Sequence, residues 1–572
     1  MSWRGRVVFL FFFIAFLGLI VRLFYWQVIR ASELATQARR QVQTGQVISA
    51  PRGNILASDG SFLASRGEGW LIFISIPEIE ETKDAIADKL APLLVEKKEG
   101  EDEKELVLNE AGRIKNLLTK EGLVWVPLKH KVSPEVKKQI EFLNIKGVGF
   151  EKEEIRVYSE ASSAAHILGF VGKNLEGEDL GYFGLEGYYN LVLSGKPGFM
   201  SREQDAKGVP IALGDSQEVG SQKGVDLLTN IDKGIQLIVD TKLKEGIERY
   251  EAKGGTAIVM DPKNGAILAM SSYPNYDPAR YTDFSNEYFR NPAVSDAFEP
   301  GSVFKVLIMA SALDAEVVKP GTKCDICSGP AIVDKYSIET WNNKYFPDST
   351  MTDVIVHSDN VGMVYVGQKL GAEKLYEYLT KFGIGSLTGI DLQGEITPEL
   401  RKKGTWNEVD LATASFGQGI AVTSIQMLRA AGVIANRGII VTPQVVNKLQ
   451  GEGWSEEINS QIGERVISEE AAREITAMMV EAARSGESKW TYLTGFEVAG
   501  KTGTAQIPIA GHYDAEKTIA SFIGFAPASE PKFVMLVTLK EPKSSQWASE
   551  TAAPLWYNIA KDLFLRFGIQ PE

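Results

Sequence analysis

Hydrophobic positions first cluster at the start of the chain. Trp3-Arg4-Gly5-Arg6 precedes an uninterrupted apolar run from Val7 to Val21, and after Arg22 the run resumes through Leu23-Phe24-Tyr25-Trp26. A bilayer core needs about 20 helical residues. The pattern predicts a transmembrane anchor over 7–28 behind a cytoplasmic tail of residues 1–6. Arg22 is placed to snorkel, and Tyr25 and Trp26 suit the interface. Arg4 and Arg6 put the N-terminus in the cytoplasm by the positive-inside rule, and everything past residue 28 outside. A cleaved signal peptide is the competing reading. Ala31 and Ala35 offer small residues for a cut site, but bulky Phe24-Tyr25-Trp26 stands just before them.

A polar helical stalk is expected from Ala31 to Gln43. Residues 51–56 read as extended and turn-rich, Ser58-Asp59-Gly60 as a turn and Leu71-Ile72-Phe73-Ile74 as a short strand. Residues 79–145 are densely charged, above all from Glu96 to Glu105, with Leu, Ile and Val at helical spacing. They read as small amphipathic helices on a surface lobe. Glycine-rich 181–198 reads as loops around a short helix, and 214–224 as a further loop. A strand over 225–229 and a long helix over Lys233–Tyr250 follow, so the main domain boundary is placed at 222/223. Beyond it, 256–260 and 266–270 flank Asn264-Gly265 as a hairpin. Segments 518–524 and 532–538 read as a second strand pair, and 551–567 as a helix. Strands flanked by long helices imply an α+β domain with a central antiparallel sheet over 223–572, preceded by a separate domain over 29–222.

Composition narrows the function. The 572 residues suffice for two to four domains, and 44% apolar residues suffice for ordinary cores. A net charge of −13 without a basic stripe argues against a nucleic-acid binder. Cys324 and Cys327 are the two cysteines, spaced C-x-x-C. One pair makes neither a disulfide framework nor a four-cysteine zinc site. A local disulfide and two free thiols both remain open. No metal cluster, dinucleotide loop or phosphate loop is present, so no cofactor is expected.

Three short motifs carry chemistry: Ser302-Val303-Phe304-Lys305, Ser358-Asp359-Asn360 and Lys501-Thr502-Gly503-Thr504. Each alone is commonplace; together, in this order and inside one domain, they are specific. On a helix, residues three apart share a face, so Lys305 would point at the Ser302 hydroxyl from one turn along. Burial or a second cation, such as Lys501, lowers a lysine's pKa until it accepts the serine proton. Ser358 can relay a proton, and Asn360 can hold a substrate backbone and position the lysines. Lys501-Thr502-Gly503 would lie on a sheet edge where an extended peptide adds as a strand. Lys501 and Thr502 would bind a terminal carboxylate, and Gly503 would clear the peptide's approach. The backbone N–H groups of Ser302 and Thr504 are the natural oxyanion hole. A Ser-His-Asp reading would use His357 beside Ser358. No Gly-x-Ser-x-Gly elbow supports it, and His130, His166, His357 and His512 all read better as structural.

The motif set resembles that of the class B penicillin-binding proteins. So do Pro51-Arg52-Gly53-Asn54-Ile55, Asp59-Gly60, Leu63-Ala64, His166-Ile167-Leu168-Gly169 and Gly184-Leu185-Glu186-Gly187. Asp261-Pro262, Asn264-Gly265, Tyr273-Pro274, Asp277-Pro278, Phe298-Glu299-Pro300-Gly301-Ser302 and Phe416-Gly417-Gln418-Gly419-Ile420 with Thr423 and Gln426 extend the likeness over most of the chain. It implies a transpeptidase domain over 223–572, with a central antiparallel sheet and a helical subdomain, on an elongated non-catalytic pedestal or dimerisation-type domain over 29–222. It further implies stem peptides ending in D-Ala-D-Ala as donors and β-lactams as mimics that trap Ser302. Residues before 220 leave no room for a glycosyltransferase domain, so glycan strands would come from a membrane-embedded polymerase. Arg290-Asn291 with Val294-Ser295-Asp296 and Glu299-Pro300-Gly301 looks most like the septal, division-specific branch, whose pedestal would dock divisome proteins. Pro292 departs from the arginine common there. An elongation-type enzyme is the runner-up.

Other classes fit less well. A class A β-lactamase would need a Glu-x-x-Leu-Asn pattern, which is absent between Asn360 and Lys501. A D,D-carboxypeptidase would use water as acceptor and shares every motif. A β-lactam sensor or scaffold with little turnover would carry further spanning segments or a signalling domain.

Overall fold

The computed structural model describes residues 2–34, 43–95, 102–160, 162–203, 216–509 and 512–571. The chain divides into two compact units. One comprises residues 1–52 with 194–224, the other residues 53–193 with 225–572.

In the smaller unit an apolar helix, Trp3–Phe24, continues through a π-helical turn, Tyr25–Ile29. Its 27 residues rise about 40 Å, enough to cross a bilayer core, and none of its apolar window is buried by protein. The stalk expected over 31–43 lies mostly outside the described residues; 31–34 are helical, and Gln43 already begins a strand. That strand, Gln43–Ile48, pairs antiparallel with Gly198–Glu203, which pairs in turn with Ser216–Val219.

In the larger unit, the short strand expected at 71–74 is the end of a much longer one, Phe62–Ser75. It pairs with Val148–Tyr158 on one side and Trp125–Val132 on the other. The charged segment after it does form amphipathic helices: Lys83–Leu94, Glu103–Thr119 and Pro134–Phe142. They bury Ile86, Leu90, Ile114 and Leu118 against Ile72, Ile74 and Leu128. The strand Trp125–Val132 within this segment was not expected. Ile55–Leu56 runs parallel to Asp226–Thr229, which pairs with Val446–Gly451, so one sheet is continuous from the 53–193 stretch into the rest of the unit.

The second sheet carries the motifs. Its five antiparallel strands run in the order Ile267–Tyr273, Gly254–Met260, Phe533–Lys540, His512–Ala526, Ala499–Ile509. Side chains alternate between its faces. Ala257, Val259, Phe522 and Val537 pack under Lys233–Tyr250 and Ala552–Phe567. Ile258, Met260, Ile523 and Leu536 pack in the core that also holds Leu307, Val433 and Met479. Asp232 caps Lys233–Tyr250 by accepting the N–H groups of Gly234 and Ile235. Helix Lys305–Asp314 is buried on every side except at Asp314, which fixes its first turn in the interior.

One buried polar contact holds the 53–193 stretch to this core, and another braces the stretch itself. Tyr189 donates to Asp391 (3.0 Å), whose carboxylate also accepts the Val445 and Val446 N–H groups (2.6 and 2.8 Å). Arg156 pairs with Glu186 at 2.6 Å, with side chains 6% and 0% exposed, and donates to Gly53 O. Removing one partner of such a pair strands a buried charge. Glu186→Ala is therefore expected to destabilise the larger unit by about 3–5 kcal/mol, read as a lower denaturation midpoint. An unchanged midpoint would show that the pair is not a support of this stretch.

Candidate active site

Pro300 leads into a tight 3-10 turn, Gly301–Phe304, that runs directly into Lys305–Asp314. Residues i and i+3 share a side in such a turn, so Lys305 follows Ser302 one turn on along the same side. Ser302 is half-buried and Lys305 is fully buried. Gly301 holds φ at +57°, a conformation that favours glycine, and its N–H donates to Gly417 O (3.0 Å). A Cβ on Gly417 would collide with the Gly301 carbonyl. Glu299 accepts the Gly419 N–H (3.2 Å) and the Tyr513 hydroxyl (3.1 Å). Burial raises the Glu299 carboxyl against the opposing pull of those bonds. The 416–420 block is thus the clamp behind the serine turn. Thr423 and Gln426, singled out with it, form a capping box on helix Ser424–Ala435.

The second motif follows helix Met351–Val356. Ser358 has φ at +55°, and Asp359 caps Asn360–Leu370 through the Val361 N–H. Lys305 Nζ donates to Ser358 O (2.6 Å) and Asn360 Oδ1 (2.7 Å), with Ser358 Oγ at 3.4 Å. Asn360 Nδ2 donates to Glu339 O (3.2 Å), which leaves its oxygen aimed at the lysine.

The third motif lies on the outermost strand of the five-stranded sheet, Ala499–Ile509. Gly503 was expected to make room for an incoming peptide. Its space is instead taken by the serine turn: a Cβ there would stand 3.0 Å from Val303 N and 2.8 Å from Val303 Cγ1. A Cβ on Gly301 would likewise stand 3.2 Å from Thr504 O. The segments bearing the Ser302 and Thr504 N–H groups therefore touch. Lys501 is buried and donates to Thr502 O and Oγ1, both at 3.2 Å.

Burial pushes Lys305 down to about 7, the positive charge of Lys501 pushes the same way, and Glu487 and Asp359 oppose. Burial also lowers Lys501, again opposed by Glu487. The result is an amine able to lose its proton near neutrality, one turn from a half-exposed hydroxyl. That pair can deprotonate the serine for attack on a carbonyl.

Two features escaped the sequence reading. Glu487 lies just past the end of helix Glu469–Ser485 and accepts the Thr502 hydroxyl (2.8 Å); a lone glutamate in a loop gives no signal. Trp341 and Trp547 meet with ring centroids 5.3 Å apart. Trp341 is tied to the second motif through His357 O (3.2 Å), and Trp547 precedes Ala548, whose N–H donates to Thr504 Oγ1 (3.0 Å).

The histidines have other surroundings. His166 is buried, bonded to Tyr288 O and pushed down to about 4 by burial. His130 pairs with Glu153 at the surface, and the His357 ring stacks on Phe346 at 4.2 Å. The His512 side chain lies outside the described residues. Cys324 and Cys327 are joined as a disulfide. Among the described residues no group of acidic, His or Cys side chains is placed to hold a metal.

Comparison with known proteins agrees with this architecture. Residues 255–562 match the family model for the penicillin binding protein transpeptidase domain, and residues 47–229 that for the penicillin-binding protein dimerisation domain. Stage V sporulation protein D of Bacillus subtilis is 32% identical over 577 residues, covering 100% of this chain and 87% of its own. The probable peptidoglycan D,D-transpeptidase PenA of Neisseria meningitidis is 28% identical over 580 residues, covering 100% and 94%. Among solved structures, penicillin binding protein 2X of Streptococcus thermophilus shares the fold with a TM-score of 0.74 at 24% identity, covering 92% of this chain and 80% of its own.

The contact at Gly503 has a direct test. Gly503→Ala should push the strand off the serine turn and slow penicillin acylation at least about ten-fold. Circular dichroism should stay unchanged. Acylation at the parent rate would mean that the close approach is dispensable.

Proposed function

Because this chain belongs to the penicillin-binding protein transpeptidases, we propose that it cross-links peptidoglycan stem peptides through an acyl-enzyme on Ser302. The observation that carries the reading is the buried Lys305 amine, lowered to about 7 and held by Ser358 and Asn360 next to the serine turn.

In this mechanism Lys305 takes the Ser302 proton as Oγ attacks the penultimate carbonyl carbon of a D-Ala-D-Ala donor. The Ser302 and Thr504 N–H groups receive the oxyanion. The C–N bond then breaks, and the leaving nitrogen takes its proton from Lys305 through the Ser358 hydroxyl, releasing D-alanine. An amine from a neighbouring stem peptide attacks the ester and loses a proton to Lys305, and Ser302 recovers its hydrogen. Asn360 holds the donor backbone, Lys501 and Thr502 hold its terminal carboxylate, and the open edge beside Gly503 and Thr504 aligns the peptide as an added strand. β-Lactams enter as donor mimics.

The N-terminal helix anchors the chain in the cytoplasmic membrane with the catalytic unit outside, where a membrane-embedded polymerase supplies glycan. The segment at 290–301 favours the septal branch and divisome partners. Pro292, its departure from that branch, stands at the first position of helix Pro292–Ser295, where proline is well accommodated. The sporulation-named relative favours a second reading, cross-linking of a spore wall. A tagged copy is expected to gather at the division site of growing cells; confinement to sporulating cells would select the second reading.

Full-length protein in membranes should be labelled by a fluorescent penicillin, and Ser302→Ala should not; equal labelling would remove Ser302 from the mechanism. Acylation needs neutral Lys305, whose folded pKa is lowered to about 7, so its rate should rise with pH through about 7 and level off above. A flat profile from pH 6 to 9 would exclude Lys305 as the base.

A further inference from the structure

Two lysine amines are buried in the interior, the charge of Lys501 acts on Lys305, and neither donates to a carboxylate. Lys305 donates to a carbonyl and an amide oxygen, and Lys501 to the carbonyl and hydroxyl of Thr502. Burying like charges together is costly unless an anion compensates. The carboxylates acting on them are Asp359 and Glu487. Asp359 uses one oxygen as a helix cap, and its other is buried without a bond. Glu487 reaches the lysines through Thr502, giving the chain Lys501 Nζ to Thr502 Oγ1 to Glu487 Oε2 (3.2 and 2.8 Å).

The backbone fixes Glu487 there. Gly486 ends helix Glu469–Ser485 so tightly that a Cβ would collide with Ala482 O and stand 2.8 Å from Val356 O, two residues before Ser358. Glu487 therefore emerges between the second motif and the third. Arg484 and Lys489, the charged residues beside it in its own segment, are exposed. On the neighbouring segment the His357 ring faces Phe346. A threonine hydroxyl has one proton to donate, and here Glu487 receives it.

We propose that Glu487 is a positioning residue of this site, whose carboxylate supplies the negative charge that the paired lysines lack and directs the Thr502 hydroxyl. It has two consequences, both resting on the acyl-enzyme reading above. Glu487 sets the pH at which Lys305 becomes a base. It also competes with the donor's terminal carboxylate for the Thr502 proton, so the donor binds by displacing a resident anion.

The test is the pH profile of acylation by a carboxylate-bearing penicillin, using full-length protein. Glu487→Gln keeps an acceptor for Thr502 and removes the charge. Without the anion Lys305 loses its proton more readily, so the rising limb should move to lower pH by about one unit. Glu487→Asp keeps the charge and should keep the limb near the parent's position. A merely structural role would lower the rate at every pH and leave the limb in place, as would any defect in folding. A Glu487→Gln limb superimposed on the parent's, or a Glu487→Asp limb displaced as far as that of Glu487→Gln, overturns the proposal. If the parent itself is not acylated, the acyl-enzyme reading fails instead.

Discussion

Backbone touches backbone where the Gly301–Phe304 turn meets the Ala499–Ile509 strand, and the site exists because nothing stands between them. A carbon added at Gly417 would strike the Gly301 main chain, and one at Gly301 or Gly503 would crowd Thr504 O at 3.2 Å or Val303 N at 3.0 Å. That contact brings the Ser302 and Thr504 segments alongside each other.

The electrostatics depend on that contact. An exposed lysine pair would be screened and would stay protonated. Here the helix carrying Lys305 is buried almost throughout, and Lys501 is buried as well. Dehydration and mutual repulsion then act together to weaken the hold on one proton. The fold tolerates this because the amines keep good acceptors, and the left-handed backbone at Ser358 provides one of them.

Much of this was legible in the chain. The three motifs, the 254–273 hairpin and helix Lys233–Tyr250 are local signals, written in spacing, an Asn-Gly turn and regular apolar periodicity. What stayed hidden arises from distant partners. Ala64-Ser65-Arg66-Gly67-Glu68-Gly69 has no strand pattern, yet it is extended because it pairs residue for residue with 153–158. Gly67 and Gly69 there leave space for Val157 and Ile155. Glu487 and the Trp341–Trp547 pair gain meaning only from neighbours far away in sequence. Gly503 was recognised as necessary, but the turn it accommodates lies 200 residues away.

The smaller unit has a sheet built from two remote stretches, since Gln43–Ile48 pairs along its whole length with Gly198–Glu203. An N-terminal truncation ending before residue 43 would shed the apolar helix and leave that sheet complete. One continuing to residue 52 would strip away its outer strand, baring the amides of 198–203 as a template for aggregation. Where the apolar helix can be removed without exposing a sheet edge is therefore decided by strand pairing, about fifteen residues beyond the point where hydrophobicity ends.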